Sequence, residues 1–295
     1  MSCMLARARE KLTVALSKIK RDYEDAIKSG GTEAAHSLIR SKKLIGHLHE
    51  YIKNELILNG VDSTKIYPPL GQSRPELKMV GFLKSKAQDI CVLPSPPRRE
   101  VVKEGVLIGQ EDPVGRAIMN ESISINIRSQ LSSLGKNFDT LYERTFAEAL
   151  NLHMRAPKLV MGEMYMVPFM AYDADAINRR EVDWTEPLPL KYIPAFRELN
   201  FRERDDVDAH KYERVCLLIV DFRKDPPEVI DSSEAFASYE TLDEETVKKA
   251  TLSGLTISDF FSDLLKIYDK RNSILSSNRS MKIYSKPQHQ STLNE

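Results

Sequence analysis

Residues 128–169 read RSQLSSLGKNFDTLYERTFAEALNLHMRAPKLVMGEMYMVPF, and this stretch decides the fold. Leu131, Leu134, Phe138, Leu141, Phe146, Ala149 and Leu152 keep one apolar stripe, as a core-packed helix should. Gly135 lies inside the pattern, so the helix proper is predicted to begin near Lys136. The chain then runs into KLVMGEMYMVPF (158–169), whose Val160, Met161, Met164, Tyr165, Met166 and Val167 mark a mostly buried strand.

Further on, ERVCLLIVDF (213–222) is an unbroken apolar run ending in an acid, the pattern of a central strand covered on both faces. A last amphipathic helix fits 256–271. Upstream, LKMVGFLK (77–84) and DICVLP (89–94) are short apolar runs around the polar segment Ser85-Lys86-Ala87-Gln88, which reads as a β-hairpin with its turn at 85–88. PSPPRRE is a loop, and EGVLIGQ (104–110) is predicted to be another short strand. Alternating helices and buried strands predict an α/β (α+β) fold, a mixed central β-sheet flanked by helices.

Residues 4–28 carry Leu5, Leu12, Leu16, Ile19, Tyr23 and Ile27 at helical steps. Gly30-Gly31 is read as the break, with Thr32 as N-cap of a second helix bearing Leu38, Ile45, Leu48, Ile52 and Leu56. Three regions follow: a helical hairpin over 1–62, an α/β domain over 63–272 and a basic, flexible tail over 273–295. The hairpin is either packed on the body or serves as a dimerisation or DNA-embracing arm.

Forty-three basic residues balance forty-three acidic ones in 295, which excludes a tail-driven polyanion binder. No apolar run approaches the roughly 18 residues of a membrane span, and the start has no signal-peptide core, so a cytoplasmic protein is expected. Cys3, Cys91 and Cys216 are too few and too scattered for a disulfide framework or a zinc site. The sequence has no P-loop, no G-x-S-x-G, no G-x-G-x-x-G and no H-E-x-x-H, which argues against nucleotide-dependent, hydrolase-triad and zinc chemistries.

What remains are acids set in strands. Glu163 interrupts an apolar strand, Asp89 opens another shortly after Lys84 and Lys86, and Asp221 ends a third. A buried carboxylate costs several kcal/mol unless it is paired or bound to a cation. Two such acids on neighbouring strands suit Mg²⁺, which takes hard oxygen ligands, and a nearby lysine can offset charge on a phosphodiester. Each acid is equally compatible with a plain ion pair.

The two strand acids with nearby lysines resemble the core of type II restriction endonucleases of the PD-(D/E)xK nuclease superfamily. The stretches GFLKSKAQDICV, SISINIRSQLSSLGKNFDTLYERTFAEALNLH and LVMGEMYMVPFMAYD are similar to those of bacterial restriction-associated proteins, over about 70–225. The resemblance implies a restriction-endonuclease-like core, with Asp89 standing for the PD aspartate and Glu163 for the second acid, both on Mg²⁺. Gln88 stands where the family has proline, and Met164-Tyr165 follow Glu163, so the lysine stays open between Lys84 and Lys86. The one literal E-x-K, Glu76-Leu77-Lys78, precedes Asp89; Glu76 and Lys78 are therefore secondary candidates, as is Glu143, a helix glutamate.

Arg128, Gln130, Ser132, Ser133, Lys136 and Asn137 form a dense set able to bond phosphates and base edges. Ser-Ser-x-Gly before a helix is also simply a capping loop, and Arg144 with Glu148 makes an i,i+4 pair. The implied function is Mg²⁺-dependent, sequence-specific cleavage of double-stranded DNA by a homodimer, with a cognate DNA methyltransferase as partner. The alternatives are a non-catalytic DNA-binding or assembly subunit of a bacterial defence system, and a protein–protein scaffold.

Overall fold

The computed structural model describes residues 2–205, 207–237, 251–273 and 283–285, and side chains from Lys11 onward except those of Asn137 and Ser273. Most of the predicted tail over 273–295 lies outside the described residues. So do residues 206 and 238–250.

The chain begins with α1 (Ser2–Arg40) and α2 (Lys43–Leu58), followed by β1 (Ile66–Tyr67), β2 (Leu77–Val80), β3 (Ser85–Gln88) and β4 (Ile90–Val92). Next come β5 (Glu100–Val101), β6 (Glu111–Asp112), α3 (Arg116–Asn120), β7 (Ile123–Ser129), α4 (Leu134–His153) and β8 (Val160–Pro168). The remainder is β9 (Met170–Tyr172), α5 (Ala174–Asn178), β10 (Trp184–Pro187), α6 (Tyr192–Glu198), β11 (Arg214–Asp221), β12 (Glu228–Ile230), α7 (Ser233–Ala237) and α8 (Ile257–Ser273).

Six strands form a mixed sheet in the order β1-β4-β7-β8-β11-β12. β7, β8 and β11 run parallel, and the flanking pairs β4–β7 and β11–β12 are antiparallel. Every residue of β8 is buried, as the apolar run predicts for a strand covered on both faces. The sequence reading of an α/β architecture with a mixed central sheet and an N-terminal helical hairpin is the architecture seen.

Period-two alternation sends Ile123, Ile125 and Ile127 of β7 to one face, where they join Leu16, Ile19 and Ile27 of α1 and Leu48 and Ile52 of α2 in one buried cluster. The hairpin is thus the layer covering that face, together with Phe260 and Leu264 of α8. α4 and α6 cover the other face, where Leu134, Leu152 and Phe196 pack with Tyr165, Val167 and Leu217. Burying one such aliphatic side chain contributes roughly 1.5–3 kcal/mol, so the hairpin stripe is tied firmly to the sheet.

Four local expectations need correcting. α1 does not end at Gly30-Gly31: Gly31 takes a left-handed φ of 59°, kinks the helix and lets it resume to Arg40. The hairpin turn falls instead at Ser41-Lys42, and the Thr32 hydroxyl bonds Asn178 rather than capping a new helix. Residues 85–88 are not a turn but β3, which pairs with β2 from Leu77↔Gln88 to Val80↔Ser85. EGVLIGQ is not a strand: Gly105 and Gly109 have positive φ, and the short β-pair lies at Glu100↔Asp112. α4 begins at Leu134, ahead of Lys136, with Gly135 inside it.

Candidate functional site

Ser124, Asn126 and Arg128 occupy the β7 face opposite the three isoleucines, beneath α4. On β8 the register sets Asn126 beside Glu163, and Glu163 beside Val215 of β11. β4 pairs Ile90 with Ile125, so one further antiparallel step brings Asp89 alongside Asn126. Asp89, Asn126 and Glu163 therefore form a row across three neighbouring strands. The Asp89 carboxylate accepts the Ile127 N–H at 2.9 Å, which fixes its position at the end of β4.

α4 lowers a third carboxylate onto this row. Thr145 and Glu148, three residues apart and hence on one helix face, are both buried. The Arg128 guanidinium donates to Thr145 Oγ1 at 2.5 Å, to Glu148 Oε2 at 2.5 Å and to Glu163 Oε1 at 2.8 Å. Gln88 accepts from Ser124 Oγ at 2.7 Å and turns its amide toward Glu148 Oε1, while the Lys86 ammonium stands 3.3 Å from Glu148 Oε2. The predicted Arg144–Glu148 pair is superseded: Arg144 is exposed, and Glu148 points inward to Arg128 and Lys86.

Glu163 is fully buried and its Oε2 has no hydrogen-bond partner. Burial pushes its carboxyl up to about 8; Arg128 opposes the push, and the charges of Glu148 and Asp89 add to it. Glu163 thus feels the two other carboxylates.

Asp89 also meets the helical hairpin. Lys42 Nζ lies 3.7 Å from Asp89 Oδ1 and 2.6 Å from Glu76 Oε1. Behind them His49 is buried with Nε2 unpartnered. Burial lowers its pKa, the Lys53 and Lys42 charges adding to that effect and Asp89 and Glu76 opposing it.

The other predicted site residues scatter. Lys84 and Lys78 are exposed, and Glu143 lies on the solvent side of α4. Gln130 turns inward, donating to the Ser133 carbonyl at 2.9 Å and accepting from Tyr192 and Tyr165 hydroxyls at 2.8 and 3.2 Å. Ser132 and Ser133 are half-buried; Ser133 starts α4 without a side-chain capping bond. Lys136 is exposed, and the Asn137 side chain lies outside the described residues.

Sequence reasoning passed over Glu148 and Lys42. For Glu148 the signal was present, since its spacing to Thr145 and Leu152 puts it on the buried stripe of α4. For Lys42 no local signal exists, because its partners are distant in sequence.

The donor set suits a hard cation: Asp89, Glu148 and Glu163 offer carboxylate oxygens, one of them buried without a partner. As they stand, with Arg128 between them, no three His, Cys, Asp or Glu side chains among the described residues are grouped to hold a metal ion. No helix among the described residues is long and apolar enough to cross a membrane. No family model, curated protein or solved structure matches the chain.

Proposed function

We propose that the protein is a Mg²⁺-dependent endodeoxyribonuclease that hydrolyses phosphodiester bonds in double-stranded DNA, in the manner of type II restriction enzymes. The observation that carries this reading is the row Asp89–Asn126–Glu163 across β4, β7 and β8, with Glu148 set over it from α4. The likeness of Asp89, Glu163 and the nearby lysines to a PD-(D/E)xK core supports the same reading.

Asp89, Glu163 and Glu148 would hold the cation. Bound there, Mg²⁺ supplies charge to the phosphodiester and acidifies a water. Asp89 is oriented for this by the Ile127 N–H. Lys86 neutralises Glu148 from the β2–β3 hairpin, and Arg128 is the cation that has to give way on Glu163. Lys136, exposed at the start of α4, would contact a phosphate. The reading carries with it a homodimer, because two-fold DNA sites favour two-fold proteins, and a cognate methyltransferase.

Cleavage of unmodified plasmid and phage DNA in Mg²⁺ tests the proposal. Wild-type protein is expected to release discrete fragments, and Asp89→Ala and Glu163→Gln to abolish them without change in the far-UV circular dichroism. Wild-type cleavage by both variants would sink the site.

One observation favours a second reading. Beside Asp89 the sheet carries Asn126-Ile127-Arg128, a neutral amide and a guanidinium where a metal site would profit from an acid and a lysine, and Arg128 already compensates both glutamates. A non-catalytic DNA-binding or assembly subunit would be built in this way. It would bind duplex DNA equally with and without Mg²⁺ and never nick it.

A further inference from the structure

Lys42 occupies the turn between the two hairpin helices with φ 60° and ψ 5°, one of four non-glycine residues in left-handed backbone among the described residues. A residue with a β-carbon is disfavoured there, and glycine is the residue that meets no penalty. The turn is nonetheless firmly held. Lys42 N–H donates to Ile39 O at 3.2 Å, its carbonyl accepts from Gly46 N at 3.0 Å, and Leu44 and Leu48 anchor α2 in the core.

The strained position brings an ammonium to the end of the acid row. Lys42 Nζ lies 2.6 Å from Glu76 and 3.7 Å from Asp89, yet its side chain keeps 56% of its surface exposed. It can therefore hold Asp89 and still offer an N–H outward. Neither lysine favoured by the sequence does this: Lys84 points to solvent, and Lys86 serves Glu148. Backbone strain kept at one residue, with its side chain aimed at a candidate site, is the pattern that links an outlier to function.

We propose that Lys42 supplies the ammonium that bonds a non-bridging oxygen of the scissile phosphodiester beside Asp89, so that the helical hairpin completes the site; this rests on the nuclease reading above. Lys42 stays protonated throughout, donating a hydrogen bond and a charge, with no bond made or broken at its nitrogen.

The test compares wild type, Lys42→Gly and Lys42→Asn. Asn is neutral and tolerates left-handed backbone, and so stands in if the glycine variant loses its fold. Three quantities are measured: melting temperature, the salt dependence of binding to a mixed-sequence duplex without Mg²⁺, and plasmid cleavage with Mg²⁺. The expected result is an unchanged or raised melting temperature, a salt slope smaller by about one, and cleavage reduced ~100-fold or more. If wild type cleaves and the variants keep both its slope and its rate, Lys42 is only an ion-pair residue and the proposal falls while the nuclease reading stands. Loss of slope without loss of cleavage, or of cleavage without loss of slope, likewise overturns a contact to the scissile phosphate. Wild-type protein that neither binds nor cleaves DNA overturns the nuclease reading, and the Lys42 contact with it.

Discussion

Arg271, near the end of α8, lies 2.7 Å from the fully buried carboxylate of Glu213, the residue just ahead of β11. Arg202 reaches the same Oε1 at 3.0 Å, while Oε2 accepts the Met161 N–H at 2.5 Å with His153 3.5 Å away. Burial alone would raise this carboxyl; His153, Arg271 and Arg202 outweigh burial and hold it at about 2, against an ordinary 4.5. A carboxyl with a depressed folded-state value contributes stability that is complete above its unfolded value. That contribution, about 3 kcal/mol, is lost as pH falls from 4.5 toward 2. Acid unfolding of wild type and Glu213→Gln checks this: the variant should be less stable at pH 7 and lose less stability below pH 5. Parallel acid limbs would show that another group carries the pH dependence.

Arg128 bonds two buried glutamates, so Arg128→Met leaves Glu163 with no cation beside it and Glu148 with Lys86 alone. The expected cost is roughly 3–5 kcal/mol, read as a lowered urea midpoint. Adding Glu163→Gln should recover part of the loss, since a buried carboxyl without its partner is then replaced by an amide, making the double variant non-additive by about 0.5–3 kcal/mol. Strict additivity would mean that the 2.8 Å pair contributes no coupling.

Lys53 is a fully buried ammonium bonded to Glu50 Oε1 at 2.7 Å and to the carbonyls of Gln72 and Pro69 at 2.7 and 3.2 Å. Lys53→Met should destabilise by about 1.5–3 kcal/mol and release the loop at 69–72. Limited proteolysis would then cut near the exposed Leu70 and Gly71 faster than in wild type. An unchanged cutting rate would refute the clamp.

A β-carbon built on Gly81 would collide with the Asn151 side-chain amide and fall 2.7 Å from Asn151 O. Asn151 itself accepts the N–H groups of Leu83 and Lys84 and donates to Lys84 O, tying the β2–β3 connection to α4. Gly81→Ala is therefore expected to cost about 1–3 kcal/mol by thermal denaturation, and to loosen Lys86 from Glu148. A stability within error of wild type would show that the hairpin shifts freely.

Much of this was legible in the residues. β8 and β11 announce themselves because parallel strands covered on both faces need apolar side chains on both. Glu163 stands out for the same reason, as an acid where none belongs. What the sequence hides is direction and distance. Arg128 reads as a fork for base edges until the β7 alternation places it on the inward face with Ser124 and Asn126. Ser85–Gln88 reads as a turn because a short edge strand with one wet face has a turn's composition. Lys42 meets Asp89 only through the tertiary packing of α2 against the sheet, which no local pattern encodes.

The outer strands of the sheet are very short, two residues in β1 and three in β12. A border of that length leaves few unpaired amide and carbonyl groups to template another chain. The central sheet is thereby guarded against growing into fibrous aggregates through its rims, its long strands β7, β8 and β11 being kept inside.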